Sequence, residues 1–316
     1  MLVSIVIPTY NRSDLIGATL DSIIAQTYLQ WECIVVDDDS IDYTVELMEF
    51  YCKKDPRVKY LQRPENRRKG ANACRNYGFE KSRGNYIQWF DSDDLMVPEF
   101  LEAKVKSIEE HEVDFVISKS ANFQDPNSEN IISRNDGYYR FDKFNLTNYN
   151  YVTQNINWLT YDFLGKRELC EKVRFNETLS SSQEYNFFCK LTCFSTKAFI
   201  IDKFLTNRRV HSDSIRVRYK SNPKKEEERN HIDLETWREI AEIKPGSKSE
   251  RYFLFSLLKF DQRSLPTKGN QKYIFKSMYK QNRLTTVFLF LLYRHFFQIT
   301  GRGYFLRRLA LIDFTN

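Results

Sequence analysis

No Gly-x-Gly-x-x-Gly follows a strand in this 316-residue chain, and no Gly-Lys-Ser or Gly-Lys-Thr occurs in it. The glycine cradles of dinucleotide-binding and P-loop proteins are therefore excluded, and any phosphate bound here must be held by metal and arginine. Cys-x-x-Cys is missing as well. Cys33, Cys52, Cys74, Cys170, Cys189 and Cys193 are scattered, which favours small buried hydrophobes over zinc ligands or redox pairs. The opening Met1 to Pro8 has no basic lead or cleavage site, so the expected compartment is reducing and cytoplasmic. The glycosylation triplets Asn145-Leu146-Thr147 and Asn176-Glu177-Thr178 would then go unused. The strongest apolar run, Val287 to Tyr293, is interrupted by Arg294-His295. It falls short of the roughly 20 residues that span a bilayer. A net charge of +6 over this length does not call for a nucleic acid, and none is expected as a partner.

With 41% hydrophobic and 28% charged residues, the chain can bury a sizeable core as one large domain or two smaller ones. Apolar runs at Val3 to Ile7, Cys33 to Val36, Val58 to Leu61 and Tyr86 to Phe90 read as buried strands. Between them lie amphipathic helices. Leu15, Ile16, Thr19, Leu20, Ile23 and Ile24 mark the first, with Ser13 and Asp14 at its start. Tyr43 to Lys54 forms the second, with Val45, Met48 and Cys52 inward, and a small-residue helix through Ala71, Ala73, Cys74 and Gly78 forms the third. Alternation of this kind indicates an α/β fold, a mostly parallel sheet flanked by helices, whose ligands bind beyond the carboxyl ends of the strands.

Three successive strand ends carry polar clusters: Thr9-Tyr10-Asn11, Asp37-Asp38-Asp39-Ser40 and Asp91-Ser92-Asp93-Asp94. The last places three carboxylates against a buried strand, where they need a counter-charge. Hard oxygen ligands favour Mg²⁺ or Mn²⁺, with substrate phosphates completing the coordination. Helix caps or solvated turns are the alternative reading. After the basic loop Arg63 to Gly70, Arg75 is the natural phosphate ligand because a guanidinium can chelate phosphate oxygens.

Pro8-Thr9-Tyr10-Asn11-Arg12, Val35 to Ser40, Gly70 with Arg75-Asn76, and Phe90 to Asp94 together resemble the nucleotide-sugar domain of the family-2 glycosyltransferases over about the first 115 residues. The resemblance implies a Rossmann-like GT-A fold, a sugar-nucleotide donor with UDP-sugars favoured, a divalent ion (Mn²⁺ or Mg²⁺) and inversion at the anomeric carbon. It implies that Tyr10 stacks on the base, Asp38 accepts from a base N–H and Thr9 lines the nucleotide. Pro8, Asn11, Gly70 and Ser92 belong to the same donor site, and Arg75 approaches the diphosphate or ribose. Asp91 and Asp93 form the metal element, Asp93 being the direct ligand, while Asp94 orients the loop.

Inversion also needs a base opposite the leaving group. Ser182-Gln183-Glu184-Tyr185 before Phe187-Phe188 resembles the family's acidic helix start and maps the catalytic base to Glu184, one methylene longer than the usual Asp. A first-turn acid complementing the helix dipole is the structural alternative. Ser182 is expected to cap that helix, with Phe187, Phe188 and Leu191 inward. Asn207 to Ser214 resembles the family's Tyr-Arg-x-His-x-x-Ser ending with Arg208 in place of Tyr, and implies that His211 touches metal or diphosphate. Strands are expected at Asp114 to Ser118 and Asn157 to Tyr161, and a short helix at Arg167 to Val173.

The expected catalytic domain is 1–218, with a nucleotide-sugar half at 1–115 and an acceptor half at 116–218. A helical C-terminal region follows at 219–316, with helices at Tyr252 to Phe260, Gln271 to Lys280 and Arg283 to Gln298. From Leu265 onward basic and aromatic residues are interleaved and Asp313 is the only acid. That suits peripheral contact of 265–316 with the anionic inner face of the cell membrane, where a lipid-linked or glycan acceptor would lie. Packing on the catalytic domain, a homodimer contact and an RNA surface are the other readings. A nucleotidyltransferase would need a glycine-rich basic loop after the first strand, which Pro8 to Asn11 is not. A non-catalytic nucleotide-sugar-binding scaffold of a glycan-assembly complex is the remaining alternative.

Overall fold

The computed structural model describes residues 1–124, 127–210, 225–259 and 284–300. The chain divides into two compact units, Met1–Asn222 and Pro223–Asn316. In the first, β1 (Val3–Thr9) and β2 (Trp31–Asp37) are buried along their whole length, because helices cover both faces. They are joined by α1 (Ser13–Ile24), which buries Ile16, Thr19, Leu20 and Ile23. Next come α2 (Thr44–Lys54), β3 (Val58–Gln62), α3 (Ala71–Lys81) and β4 (Tyr86–Trp89). On α2 the buried face is Thr44, Met48 and Tyr51, with Val45 and Cys52 at its margin. The order β3-β2-β1-β4 is parallel throughout, so β1, β2 and β4 end on the same edge.

Past β4 the sheet becomes mixed. A two-residue β5 (Leu95–Met96) precedes α4 (Phe100–Glu110), β6 (Phe115–Gln124) and β7 (Asn127–Arg134). Then follow α5 (Asp136–Tyr139), α6 (Asn148–Val152), β8 (Phe163–Lys166), α7 (Arg167–Cys170), α8 (Gln183–Phe194) and β9 (Ala198–Arg209). Strand β8 runs antiparallel between β4 and β6, while β9 lies parallel to β6 and antiparallel to β5. This last pairing brings the end of β9 beside the loop that follows β4.

Two local expectations are corrected. Asn157 to Tyr161 is not a strand: Trp158 and Tyr161 are buried within a loop that closes in a 3₁₀ turn at Thr160–Asp162, and the strand begins at Phe163. The turn is held by Asp162, which accepts from Leu159 N at 2.9 Å and from the Tyr139 hydroxyl at 3.0 Å. Burial pushes the Asp162 carboxyl up to about 7. Ser182 does not cap α8 through its side chain; it sits at φ 50°, and its carbonyl accepts from Asn186 N at 3.1 Å.

The high aromatic content collects under α8. Phe187 stacks on Phe175 at 4.1 Å and meets Trp89 edge-on at 4.8 Å, while Phe188 packs on Phe163 and Trp158. Such pairs contribute about 0.5–1.5 kcal/mol each beyond burial, so the helix that starts with Gln183-Glu184 rests on a stiff base. Helix α3 approaches β1 and β2 closely through Gly78, where an added Cβ would meet Val6 Cγ1 at 2.5 Å.

The second unit contains α9 (Lys225–Ile243), α10 (Lys248–Lys259) and α11 (Leu284–Thr300). Helices α9 and α10 pack together, with Leu234, Trp237 and Ile240 of one and Phe253, Leu254 and Leu257 of the other buried. The helix expected at Gln271 to Lys280 lies outside the described residues. On α11, Phe288, Leu291, Leu292, Phe296 and Ile299 are exposed at helical spacing and so share one face. No described helix is long and apolar enough to cross a membrane.

Candidate active site

The site is assembled from the ends of β1, β2 and β4, which parallel pairing places side by side. Asp38 N donates to Thr9 O at 2.9 Å, and Asn11, in the left-handed region at φ 48°, donates its N–H to Ser40 Oγ at 2.8 Å. Asn11 Oδ1 in turn accepts from Ile41 N. Asp37 closes the turn by accepting from Ser40 N, Ser40 Oγ and the Tyr60 hydroxyl. The two strand ends therefore form one rigid floor.

Asp38 itself is held by Arg63, a buried residue at the end of β3 that the sequence reading placed in the basic loop without a role. Arg63 Nε donates to Asp38 Oδ1 and Nη2 to Asp39 Oδ2, while Nη1 reaches the carbonyls of Pro64 and Arg67 at 3.0 and 2.7 Å. A carboxylate pinned in this way presents a fixed acceptor edge. Beside it, Thr9 Oγ1 is buried without a hydrogen-bond partner among the described residues. Tyr10 is 43% exposed, with Lys69 Nζ 4.5 Å from its ring centre. Pro8 lies inside β1 in register with Val36 and contributes backbone rather than a polar group.

The loop after β4 is tied to α3 and α8 by Arg75. Its Nη2 donates to Asp91 Oδ1 at 2.9 Å and its Nη1 to Gln183 Oε1 at 2.7 Å. Gly70 opens α3 at φ 138°, a conformation open to glycine and strained for other residues. Asn72 and Asn76 then bind the segment before α8, donating to Asn176 O at 2.7 Å and Phe175 O at 2.9 Å. Gln183, the residue before Glu184, is thus the second anchor of Arg75.

Ser92 is buried, its carbonyl accepting from Thr19 Oγ1 at 3.1 Å. Asp94 Oδ1 accepts from Arg209 N at 2.9 Å, and Arg209 Nε donates to the Asp93 carbonyl at 2.9 Å. Asp93 is flanked by Arg12, with Nε at 3.8 Å. Glu184 stands half-buried in the first turn of α8, next to the Arg75–Gln183 contact. His211 lies outside the described residues. Arg63 and Gln183 could have been flagged only by their positions, one at a strand end and the other at a helix start.

The carboxylates of the Asp91–Asp94 loop crowd one another. Burial pushes the Asp91 carboxyl up, Arg75 opposes this and Asp93 adds to it. Asp94 is raised further, by burial and then by Asp93 and Asp91. Burial also raises Glu184, with Arg75 and Arg208 opposing. Among the described residues no three ligating side chains cluster as a self-sufficient metal cage. The crowded, partly exposed carboxylates of Asp91 and Asp93 do fit an ion that takes one or two carboxylates and completes its shell with phosphate oxygens and water.

Residues 4–176 match the family model described as Glycosyl transferase family 2. The chain is 28% identical over 222 residues to Glycosyltransferase GlyA of Streptococcus pneumoniae serotype 4, covering 67% of this chain and 31% of that protein. It is 34% identical over 134 residues to the UDP-Glc:alpha-D-GlcNAc-diphosphoundecaprenol beta-1,3-glucosyltransferase WfgD of Escherichia coli, covering 42% of this chain and 50% of WfgD. Each alignment therefore spans no more than half of the relative. S. aureus TarS 1-349 in complex with UDP-GlcNAc superposes with a TM-score of 0.63 at 21% identity, over 82% of this chain and 71% of that one, which shows the GT-A fold. The matched region covers more than half of the chain and contains all three polar strand ends, and the chain belongs to glycosyl transferase family 2.

Proposed function

We propose that this chain is a metal-dependent inverting glycosyltransferase. It moves one sugar from a nucleoside-diphosphate donor, with UDP-sugars favoured, to an acceptor hydroxyl on a lipid-linked or growing surface glycan. The observation that carries this reading is the Arg75 bridge, which fixes the Asp91 loop and the start of α8 to each other so that the diphosphate end and Glu184 share one cleft. In a single displacement, Glu184 accepts the acceptor hydroxyl proton as that oxygen bonds to the anomeric carbon. The bond from the anomeric carbon to the diphosphate oxygen breaks on the opposite side, and its electron pair leaves with the diphosphate. Arg75 stabilises the charge that grows there. Asp91 and Asp93 would hold a Mn²⁺ or Mg²⁺ ion, whose chemistry is to offset that same charge. Tyr10 stacks on the base and Asp38, pinned by Arg63, reads its N–H. Two relatives support the donor class: the name of WfgD carries UDP-Glc and a diphosphoundecaprenol-linked acceptor, and TarS has been crystallised with UDP-GlcNAc.

The test is release of nucleoside diphosphate from a panel of sugar nucleotides, with and without Mn²⁺, by the wild type and by Asp93→Ala. Metal-stimulated release that disappears in the variant supports transfer. Nucleotide binding with no release, whatever the acceptor, would instead establish the non-catalytic scaffold.

The same reading places the protein in the cytoplasm and peripherally on the inner face of the membrane, in contact through 265–316. The exposed apolar face of α11 supports this, because basic residues surround it in sequence and α11 itself contains no acid. Leu291→Glu/Phe296→Glu is expected to lower partitioning onto anionic vesicles by about tenfold or more, given some 2 kcal/mol per large apolar side chain withdrawn from the interface. Co-sedimentation measures this. Unchanged partitioning, or a change in oligomeric state instead, would reject the membrane contact.

A further inference from the structure

Around the Asp91 loop the arginines are mostly committed. Arg63 holds Asp38 and Asp39, Arg75 holds Asp91, and Arg12 lies 3.8 Å from Asp93. Arg209 donates to the Asp93 carbonyl and lies over the Phe123 ring. Arg208 differs. It is half-buried on β9, its hydrogen bond is a long one of 3.5 Å from Nη1 to Asn122 Oδ1, and no carboxylate of the described residues lies within 4.0 Å of its guanidinium.

Its position is nevertheless fixed against the acidic loop. Asn207 pairs with Leu95 across β9 and β5, and the next residue, Arg209, donates its N–H to Asp94. Arg208 therefore sits on β9 between two residues tied to β5 and to the acidic loop. Tyr161 is in the same neighbourhood, its ring meeting Phe90 just before the loop and its carbonyl accepting from Thr206 Oγ1 of β9 at 3.4 Å, and its buried hydroxyl has no hydrogen-bond partner among the described residues. A guanidinium with no contacting carboxylate among the described residues and a buried hydroxyl with no partner there can both engage an anionic, oxygen-rich group bound beside the loop.

We propose that Arg208 is a phosphate-binding residue, which engages the terminal phosphate of the donor's diphosphate from β9, on the side facing the Asp91–Asp94 loop. This rests on the nucleotide-sugar reading of the cleft. It gives this chain a permanent positive charge at the leaving group, from a sequence position at which the resembled motif carries an uncharged tyrosine. When the anomeric C–O bond breaks, the electron pair passes to the diphosphate oxygen that Arg208 contacts, and the guanidinium keeps its proton. The Tyr161 hydroxyl donates to an oxygen of the same group.

The test compares binding of uridine, UMP and UDP to the full-length protein by isothermal titration, without added metal and with Mn²⁺, for wild type, Arg208→Met, Arg208→Lys and Tyr161→Phe. The expected result is that Arg208→Met lowers the preference for UDP over UMP by about tenfold or more, as loss of a charge-assisted contact should. Uridine affinity should stay unchanged and Arg208→Lys should restore part of the preference. Unchanged uridine binding also shows that the variant is folded. If the wild type prefers UDP and Arg208→Met keeps that preference, Arg208 is not a phosphate ligand while the nucleotide-sugar reading stands. If the wild type binds none of the three, both are overturned.

Discussion

Replacing Glu184 by Gln is expected to reduce turnover by about 10²–10⁴-fold, the contribution of a positioned general base, while nucleotide affinity changes by less than about threefold. The argument is positional. Glu184 lies in the first turn of a helix anchored beneath by Phe187 and Phe188 and beside by the Arg75–Gln183 contact, so its carboxylate has little freedom to leave the cleft. Gln preserves the size of the side chain and can still accept a hydrogen bond at a helix N-terminus, so the fold should be retained. What it cannot do is take a proton. A residue that only complements the helix dipole would give a small change in stability, about 0.3–1 kcal/mol, and no selective loss of turnover.

The pH profile offers an independent check. Burial raises the Glu184 pKa above the ordinary carboxylate value, and the base is active only when ionised. The turnover rate should therefore fall as pH drops through that raised value, with the acid limb displaced upward from the usual Glu range. Glu184→Gln should lose this limb from its residual activity. Retention of wild-type turnover by the variant would remove Glu184 from the mechanism.

Arg75→Met should be the second severe lesion, lowering kcat/KM by about 10²–10³-fold, the range seen when a preorganised electrostatic contact is removed. The change leaves Asp91 facing Asp93 and Asp94 without its contacting cation, and Gln183 Oε1 loses its donor. Removing one partner of a fully buried pair costs about 3–5 kcal/mol, and the figure here should be nearer 1–3 because the Asp91 side chain is 31% exposed. Lysine should rescue poorly, since a single ammonium on a flexible stem does not reproduce a planar fork directed at two acceptors. Chemical denaturation read beside steady-state kinetics separates the two effects. If Arg75→Met and Arg75→Lys both turn over like the wild type, the bridge is a scaffold feature and the proposed leaving-group role fails.

Local pattern carried much of the architecture. Val3 to Ile7 and Cys33 to Val36 are apolar without alternation, which happens when a strand is covered on both faces, and β1 and β2 are buried at every position. The helical spacing of Ile16, Leu20 and Ile23 was equally direct. Strand β9 was invisible because its sequence, with Asp202, Lys203, Asn207, Arg208 and Arg209, answers to its neighbours β6 and β5 and to the acidic loop rather than to a simple buried face. Asn157 to Tyr161 misled for the converse reason. Its aromatic residues are buried, but inside a loop organised by Asp162.

By itself the sequence determined where the polar groups stop each strand, and therefore that a ligand edge exists with Thr9, Asp38 and Asp91 along it. Only the tertiary structure decided how that edge is charged. Arg63 reaches back 25 residues to Asp38, Arg75 reaches forward 108 residues to Gln183, and Arg208 arrives beside the loop through β9 with no contacting carboxylate among the described residues. Hydrophobic periodicity reports what a residue does within its own element, whereas the pairing of a charge depends on which distant element packs against it.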